Sequence, residues 1–164
     1  MIPIIPIIFF VFGLIIGSFL NVVILRFNTE KSFGGRSACM SCQSALAWYE
    51  LIPVFSFLGL GGRCSNCKTR ISIQYPLVEL FTGFVFAALF LKFQEIFFFS
   101  TPVFILTYAY YAVAFSILII VAVYDIRHKI IPDSLALTLG IIGFVGLFLF
   151  NNSVFYPHIP SLLE

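Results

Sequence analysis

Long stretches of this 164-residue sequence carry no charged side chain, and two of them constrain the fold more than any other feature. Residues 2–25 are uncharged over 24 positions, and residues 96–124 over 29. A helix that crosses a bilayer needs about 20 consecutive, mostly apolar residues. Only 10% of the residues are charged, whereas about a quarter are charged in a typical soluble domain. We therefore predict an all-α integral membrane protein.

Two further apolar stretches bring the predicted number of transmembrane helices to about four. Residues 71–91 are apolar apart from Glu79, and residues 134–150 form a shorter run that contains glycines. Pro102 is expected in the first turn of the third helix, where a proline costs no hydrogen bond. Four glycines are expected at close helix contacts: Gly13, Gly17, Gly140 and Gly143.

The basic residues orient these helices. Eight of the nine Lys and Arg residues lie within 26–70 or 125–133, and loops rich in Lys and Arg face the cytoplasm. We predict a first transmembrane helix at 1–25, a small cytoplasmic loop domain at 26–70 and a membrane domain with three helices at 71–164. Both termini then face outside. The net charge is only +2 and the basic residues form no stripe, so the expected partner is lipid rather than nucleic acid.

The predicted loop domain contains all four cysteines of the chain. Cys39 and Cys42 form one C-x-x-C pair, Cys64 and Cys67 form another, and 21 residues separate the pairs. This spacing is typical of zinc ribbons, in which four thiolates bind one Zn²⁺ tetrahedrally. Two disulfides, or an iron site, are the alternatives. Because four protein ligands leave no open position for water, we predict a structural rather than a catalytic metal site.

Four motifs stand in order between about Gly13 and Leu139. They are Gly17-Ser-Phe-Leu-Asn21 followed by Arg26, then Trp48-Tyr-Glu-Leu-Ile-Pro53-Val-Phe-Ser56 between the cysteine pairs, then Ile71-Ser72 with Tyr75-Pro-Leu-Val-Glu79-Leu, and finally Tyr124-Asp125-Ile126-Arg127 through Ile131-Pro132-Asp133. As a set they resemble the N-terminal portion of the bacterial prepilin leader peptidase/N-methyltransferase family. The residues from 71 onward then resemble the start of its peptidase domain.

The resemblance implies an activity. Members of this family cut the basic leader from type IV prepilins and pseudopilins, which serve type IV pili and type II secretion, at the cytoplasmic face of the bacterial inner membrane. Many also methylate the new N-terminus with S-adenosylmethionine. Proteolysis is of the aspartic type, in which one carboxylate is ionised and its neighbour protonated.

The resemblance also assigns roles to individual residues. From the residues alone, Asp125 is a boundary carboxylate near Arg127 and Lys129, but the resemblance implies that it is one half of the catalytic pair. Asp133 follows a proline before an apolar run, so we expect it to cap a helix.

Three residues near the ends of the first two spans are expected in the methylation or leader-binding region: Asn21, Arg26 and Glu79. Glu79 stands out physically, because an isolated charge inside a span costs several kcal/mol and marks a functional candidate. Without a functional role, Glu79 would simply reach the membrane interface, and Asn21 would make a contact between helices.

One part of the family pattern does not occur in these 164 residues. The second catalytic aspartate of the family belongs to a later G-x-G-D motif, and Glu164 is the only carboxylate after Asp133. The expected partner is therefore a missing C-terminal half or a second chain, as in a truncated or split peptidase. The alternative function is that of a non-catalytic membrane zinc-ribbon protein that has lost the second aspartate.

Overall fold

The computed structural model describes residues 4–27, 29 and 35–151. Four long helices, one short helix and one 3-10 turn account for most of them. The helices are α1 (Ile4–Arg26), α2 (Phe55–Gly59), α3 (Gln74–Phe99), α4 (Thr101–His128) and α5 (Asp133–Asn151), and the 3-10 turn is Trp48–Leu51. Extended pairing in the described ranges is limited to two isolated bridges. The prediction of an all-α protein is confirmed.

Three of these helices are long and apolar enough to cross a membrane, by length and composition. They span Ile4–Arg26, Gln74–Phe98 and Thr101–His128, with 23, 25 and 28 residues. The apolar part of α5, Asp133–Leu149, is shorter. Three of the four predicted spans are therefore present as long apolar helices, and a spanning role for α5 stays a prediction.

The boundary between the second and third predicted spans was wrong. We predicted a second span that ends at residue 91, but α3 continues through Lys92 to Phe99, and α4 begins at Thr101. Lys92 and Glu95 favour helix, so a polar patch does not by itself end one. Ser100 has extended backbone angles (φ −153°, ψ 99°), and Pro102 lies in the first turn of α4 as predicted.

The chain forms two compact units, Met1–Gln94 and Glu95–Glu164. In the first unit, Gly13 and Gly17 allow α1 to approach α3 closely. A Cβ at Gly13 would lie 2.8 Å from the Cα of Gly83, and one at Gly17 would lie 2.7 Å from the Cα of Glu79. The predicted role of this glycine pair in helix packing is confirmed.

In the second unit, α4 and α5 pack against each other through a different glycine. The Tyr110 hydroxyl donates a hydrogen bond to the Ile142 carbonyl at 2.8 Å and lies against Gly146. A Cβ at Gly140 or Gly143 would meet no described atom within 4 Å. The expectation that these two glycines pack against a helix is therefore not met within the second unit, where Gly146 takes that place.

Candidate functional site

The four cysteine sulfurs form one cluster. All four Sγ atoms lie within 4.8 Å of one another, and those of Cys39 and Cys67 are 3.8 Å apart. A disulfide would bring two sulfurs to about 2.05 Å, and all four cysteines are free. Thiolates bound at about 2.3 Å around a tetrahedral ion lie about 3.8 Å apart. The cluster therefore fits one metal ion held by four thiolates.

Two turns with the same hydrogen bonds build this cluster, 25 residues apart (39 to 64 and 43 to 68). In each turn the N–H of the first cysteine donates to the carbonyl five residues later, at 3.0 Å for Cys39 and 2.9 Å for Cys64. The N–H of Gln43 donates to Cys39 at 3.0 Å, and that of Lys68 donates to Cys64 at 3.1 Å. Gln43 and Lys68 both have left-handed backbones, with φ of 58° and 59°. The two turns, which we call the knuckles, are structural repeats.

Hydrogen-bond donors around the sulfurs favour the thiolate form. The Ser44 hydroxyl and N–H lower the pKa of the Cys42 thiol, and those of Thr69 lower the pKa of Cys67 in the same way. The backbone N–H groups of Cys67 and Asn66, which follow Cys64 in its knuckle, lower the pKa of the Cys64 thiol. Because only the thiolate is a good metal ligand, these donors prepare the site for a metal.

Cys39 differs from the other three cysteines. It receives hydrogen bonds from the N–H groups of Cys42 and Ser41, but burial and the neighbouring Cys64 and Cys42 thiols outweigh them and raise its pKa. Four thiolates at these separations repel one another, so one of them holds its proton more tightly until a cation is bound. Metal binding and deprotonation are therefore coupled at this cluster.

A second polar cluster lies where the end of α1 meets the start of α3. Glu79 is only 7% exposed, in the second turn of α3. Its carboxylate accepts the backbone N–H of Val54 at 2.7 Å and the hydroxyl of Ser18. Glu79 therefore ties the loop between the knuckles to both helices. The buried carboxylate is bound by two hydrogen-bond donors, and no described Lys or Arg pairs with it.

The loop backbone is strained at this contact. Val54 has a φ of 63°, and the N–H of Phe55 donates to the Pro53 carbonyl at 2.6 Å across it. This is a γ-turn of the positive-φ type, which is rare, and a β-branched residue is a clear outlier there. Such a conformation costs of order 1–3 kcal/mol and persists only where the surroundings determine it. The Glu79 carboxylate is one such surrounding contact.

Asn21 lies beside this contact, on α1, and is 1% exposed. Its side-chain amide donates to the Tyr75 carbonyl at 3.1 Å, while its Oδ1 atom is buried and accepts no hydrogen bond from any described group. Arg26 is the last residue of α1. We call Asn21, Glu79, Ser18 and Val54 the boundary cluster. The structure thus brings Asn21 and Glu79 to one helix crossing.

The two aspartates singled out from the sequence belong to the second unit. Asp125 lies in the last turn of α4 with an exposed side chain, and its backbone carbonyl accepts the N–H of Lys129 at 2.6 Å. Asp133 is exposed and is the first residue of α5. The N–H groups of Leu135 and Ala136 donate to the Pro132 carbonyl, which precedes it. The catalytic role of Asp125 and the structural role of Asp133 stay predictions.

Comparison with known proteins now gives these clusters a context. Residues 11–93, just over half of the chain, match the model of the bacterial peptidase A24 N-terminal domain. The chain belongs to the bacterial peptidase A24 family. Both the knuckles and the boundary cluster fall within the matched residues, whereas Asp125 does not.

Several curated proteins are similar to this family member. A prepilin leader peptidase/N-methyltransferase of Myxococcus xanthus is 41% identical over 137 residues, which cover 81% of this chain and 37% of that protein. One of Bacillus subtilis is 41% identical over 128 residues, 77% of this chain and 48% of that protein. The Escherichia coli type 4 prepilin-like proteins leader peptide-processing enzyme is 35% identical over 151 residues, which cover 78% of this chain and 51% of that protein. The chain spans about half or less of the length of these relatives. No solved structure matches it.

Sequence reasoning missed several residues of this A24 domain. The knuckle residues Ser44 and Thr69 follow each second cysteine by two positions, and that repeat is visible in the sequence as C-x-x-C-x-Ser/Thr. Ser18 stands within the first motif and was read only as part of it. Val54 carries no local signal, because its N–H reaches a carboxylate 25 residues away.

Proposed function

We propose that this A24 family member is the N-terminal part of a prepilin peptidase that removes the basic leader of type IV prepilins or pseudopilins. The names and 41% identity of the Myxococcus xanthus and Bacillus subtilis relatives carry this proposal. The site is the cytoplasmic face of the bacterial inner membrane, with the N-terminus of the chain outside. This orientation is supported by the eight basic residues within 26–70 and 125–133.

Asp125 is one carboxylate of the proposed aspartic dyad. It lies in the last turn of the apolar helix α4 and is exposed, so water and a substrate peptide can reach it. As a general base it would take a proton from water, while a protonated partner carboxyl donates to the scissile carbonyl. The partner comes from the remainder of the peptidase, in the same chain or in a second chain.

The metal in this proposal is Zn²⁺, bound by Cys39, Cys42, Cys64 and Cys67. Two C-x-x-C knuckles with N–H and hydroxyl donors to sulfur suit its preference for four thiolates. Because the site is closed, the ion supplies folding free energy to the knuckles rather than an activated water. Its function is to hold the loop between the knuckles against α1 and α3.

Asn21, Glu79 and Arg26 form the proposed methylation or leader-binding region. The unpartnered Oδ1 of Asn21 and the Glu79 carboxylate are hydrogen-bond acceptors, which suit a ligand amino group. Both the new N-terminus of a cleaved pilin and S-adenosylmethionine carry such a group. When bound, S-adenosylmethionine supplies the methyl group, and the residues of this chain would orient the amine that receives it.

Cleavage and methylation can be tested separately by mass spectrometry of a pilin processed in membranes that contain this chain together with the remainder of the peptidase, fused or as a second chain. Asp125→Asn should abolish cleavage, because the amide can neither accept the proton nor share one. Asp133→Asn is the matched control and should retain most of it. Uncut pilin in the control, or cut pilin with Asp125→Asn, contradicts the assignment.

The same assay resolves the role of the boundary cluster. Glu79→Gln keeps the shape of the side chain and removes its charge. If the cluster serves methylation, the pilin will be cut but unmethylated. If the cluster instead binds the leader, both cleavage and methylation will fall. Full cleavage and full methylation would remove the cluster from the proposed function.

A further inference from the structure

The loop between the knuckles exposes an unusual number of large apolar side chains. Trp48 is 77% exposed, Phe55 69% and Leu58 68%. Further exposed side chains on the same loop are Tyr49, Leu51 and Ile52. A soluble loop of this kind would present a hydrophobic patch to water, which soluble proteins rarely tolerate unless the patch is a binding surface.

The charges of the loop are arranged to leave this patch uncharged. Between Ala47 and Gly62 there is no Lys or Arg, and Glu50 is the only carboxylate. Glu50 is turned into the loop, where one carboxylate oxygen accepts the Ala47 N–H at 2.7 Å and the other, Oε1, is buried near Ser65 with no hydrogen bond from a described group. Basic residues return only in or beside the flanking knuckles, at Arg36, Arg63, Lys68 and Arg70.

The contact with Glu79 fixes the level of the loop along α3. Glu79 is five residues into that helix, so its Cα is about 8 Å from the helix start along the axis. The Val54 N–H is bonded to its carboxylate, so the centre of the loop lies beside the α3 helix body rather than beyond its end. Since α3 is long and apolar enough to span a bilayer, that level corresponds to the membrane boundary.

Much of the loop backbone is hydrogen-bonded within the protein, as a position at the membrane boundary requires. Backbone groups at membrane depth need partners within the protein. Residues 48–51 form a 3-10 turn, residues 55–59 form α2, and the Val54 N–H between them is bonded to Glu79. Trp and Tyr are also the residues enriched where bilayers meet water.

We propose that residues 48–58 are a membrane-inserted segment, with Trp48, Phe55 and Leu58 in the boundary between lipid headgroups and acyl chains. The segment lies in the plane of the membrane as an interfacial anchor and continues the lipid-facing surface of α1 and α3. This divides the predicted 26–70 loop domain, because the metal knuckles stay in water while the segment between them enters lipid. The proposal needs only the membrane position of α1 and α3 and does not rest on the peptidase assignment.

Trp48 is the only tryptophan of the chain, so the unmodified protein carries its own reporter. We would reconstitute the protein as made in cells into vesicles containing phospholipids brominated near the headgroup end or near the end of the acyl chain. Bromine near the headgroup end should remove most of the Trp48 emission, and deep bromine less. Aqueous iodide should have little effect.

Two relocated tryptophans calibrate the measurement. Trp48→Phe combined with Met40→Trp places the reporter on a knuckle, where Met40 is 62% exposed. Trp48→Phe combined with Phe84→Trp places it on the exposed face of α3. If Trp48 responds to bromine as the α3 reporter does, but more to shallow bromine, the proposal stands.

The remaining outcomes overturn it. Quenching of Trp48 by iodide and not by bromine, as for the knuckle reporter, would place the loop in water. Quenching by neither agent, while both relocated reporters respond, would mean that protein covers Trp48. In that case the exposed side chains form a protein-binding surface, such as one for a substrate helix, and not a membrane anchor.

Discussion

The knuckles are closed by hydrogen bonds between residues no more than five positions apart, whereas the Glu79 carboxylate binds a backbone N–H 25 residues away. Both clusters belong to the first unit and both organise polar groups. They differ in whether their residues are close together or far apart in the sequence. The knuckles are two copies of one local turn brought together by four sulfurs. The boundary cluster is assembled from α1, α3 and the loop, so it exists only when the helices are packed.

This difference has a consequence for stability. A cluster built from local turns and a metal depends on metal binding for most of its folding free energy. A cluster built at a helix crossing depends on close packing, which tolerates little change in side-chain volume. We therefore expect loss of the metal to unfold the knuckles and with them the Val54 contact, while the α1–α3 crossing at Asn21 and Glu79 stays in place. The following predictions test that separation.

The largest expected effect is the loss of the metal. Cys39→Ser together with Cys42→Ser removes two of four thiolates, so the purified protein should lose about one metal ion per chain. A structural Zn²⁺ contributes about 10–16 kcal/mol of binding free energy in zinc-finger peptides at pH 7, so the knuckles should unfold. Elemental analysis gives the metal content, and amide hydrogen exchange gives the order of residues 37–71.

The control for that experiment is Met40→Ser, which alters an exposed knuckle residue that supplies no ligand. It should keep the metal. Amides in the centres of α1 and α3 should stay protected in both variants. The separation fails if the double variant keeps its metal, if the cysteines prove to be disulfides in protein taken from cells, or if α1 and α3 lose protection with the knuckles.

The two clusters also differ in how far the sequence predicted them. The C-x-x-C pairs were sufficient to predict a four-thiol cluster, because the chemistry and the turn are both local. Glu79 and Asn21 were singled out from burial cost and from a family motif, and the structure brings them together. Their partners Val54 and Ser18 were not predicted, because a backbone N–H has no sequence signature and tertiary packing selects it.

The helices show the same limit. Uncharged runs predicted α1 and α4 within a few residues, since length and apolarity decide a span. The end of α3 was misplaced because the predicted span stopped before the charged residue Lys92, although lysine favours helix. Gly140 and Gly143 are glycines like Gly17, and only the packing partner of Gly17 distinguishes it from them.

An intermediate effect is expected at the helix crossing. Gly17→Ala would place a Cβ 2.7 Å from the Cα of Glu79 and 3.1 Å from the Cβ of Thr82. Backbone cannot retreat as a flexible side chain does, so α1 and α3 must separate at a cost of about 1–3 kcal/mol. The free energy of unfolding in detergent micelles measures this cost, and the metal content should not change.

Gly140→Ala is the matched control, because a Cβ there meets no described atom within 4 Å. It should be neutral or stabilise α5 by up to about 1 kcal/mol, the helix propensity difference between the two residues. Equal destabilisation by both substitutions would show that the close approach at Gly17 is not what matters. Loss of metal with Gly17→Ala would show that the knuckles depend on the helix crossing.

The smallest expected effect is a pH dependence at Glu50, the residue that joins the loop to the second knuckle. The Ser65 hydroxyl and the Ala47 N–H lower the pKa of Glu50. A carboxyl group whose pKa is lower in the folded state stabilises that state fully above its unfolded pKa of about 4.3. The stabilisation is lost as the pH falls through the lower, folded value.

Glu50→Gln should therefore weaken amide protection of residues 47–51 at pH 7 and make little difference near pH 3. Acid also releases the metal by protonating the thiolates, but it does so in both proteins. The difference between them at each pH consequently isolates Glu50. Glu95→Gln, the same charge change in the second unit, should leave protection of these residues unaltered at both pH values. A difference between the native protein and Glu50→Gln that grows as the pH falls would have the wrong sign for a carboxylate stabilised by donors. Glu50 would then not be the residue that couples the inserted loop to the metal knuckle.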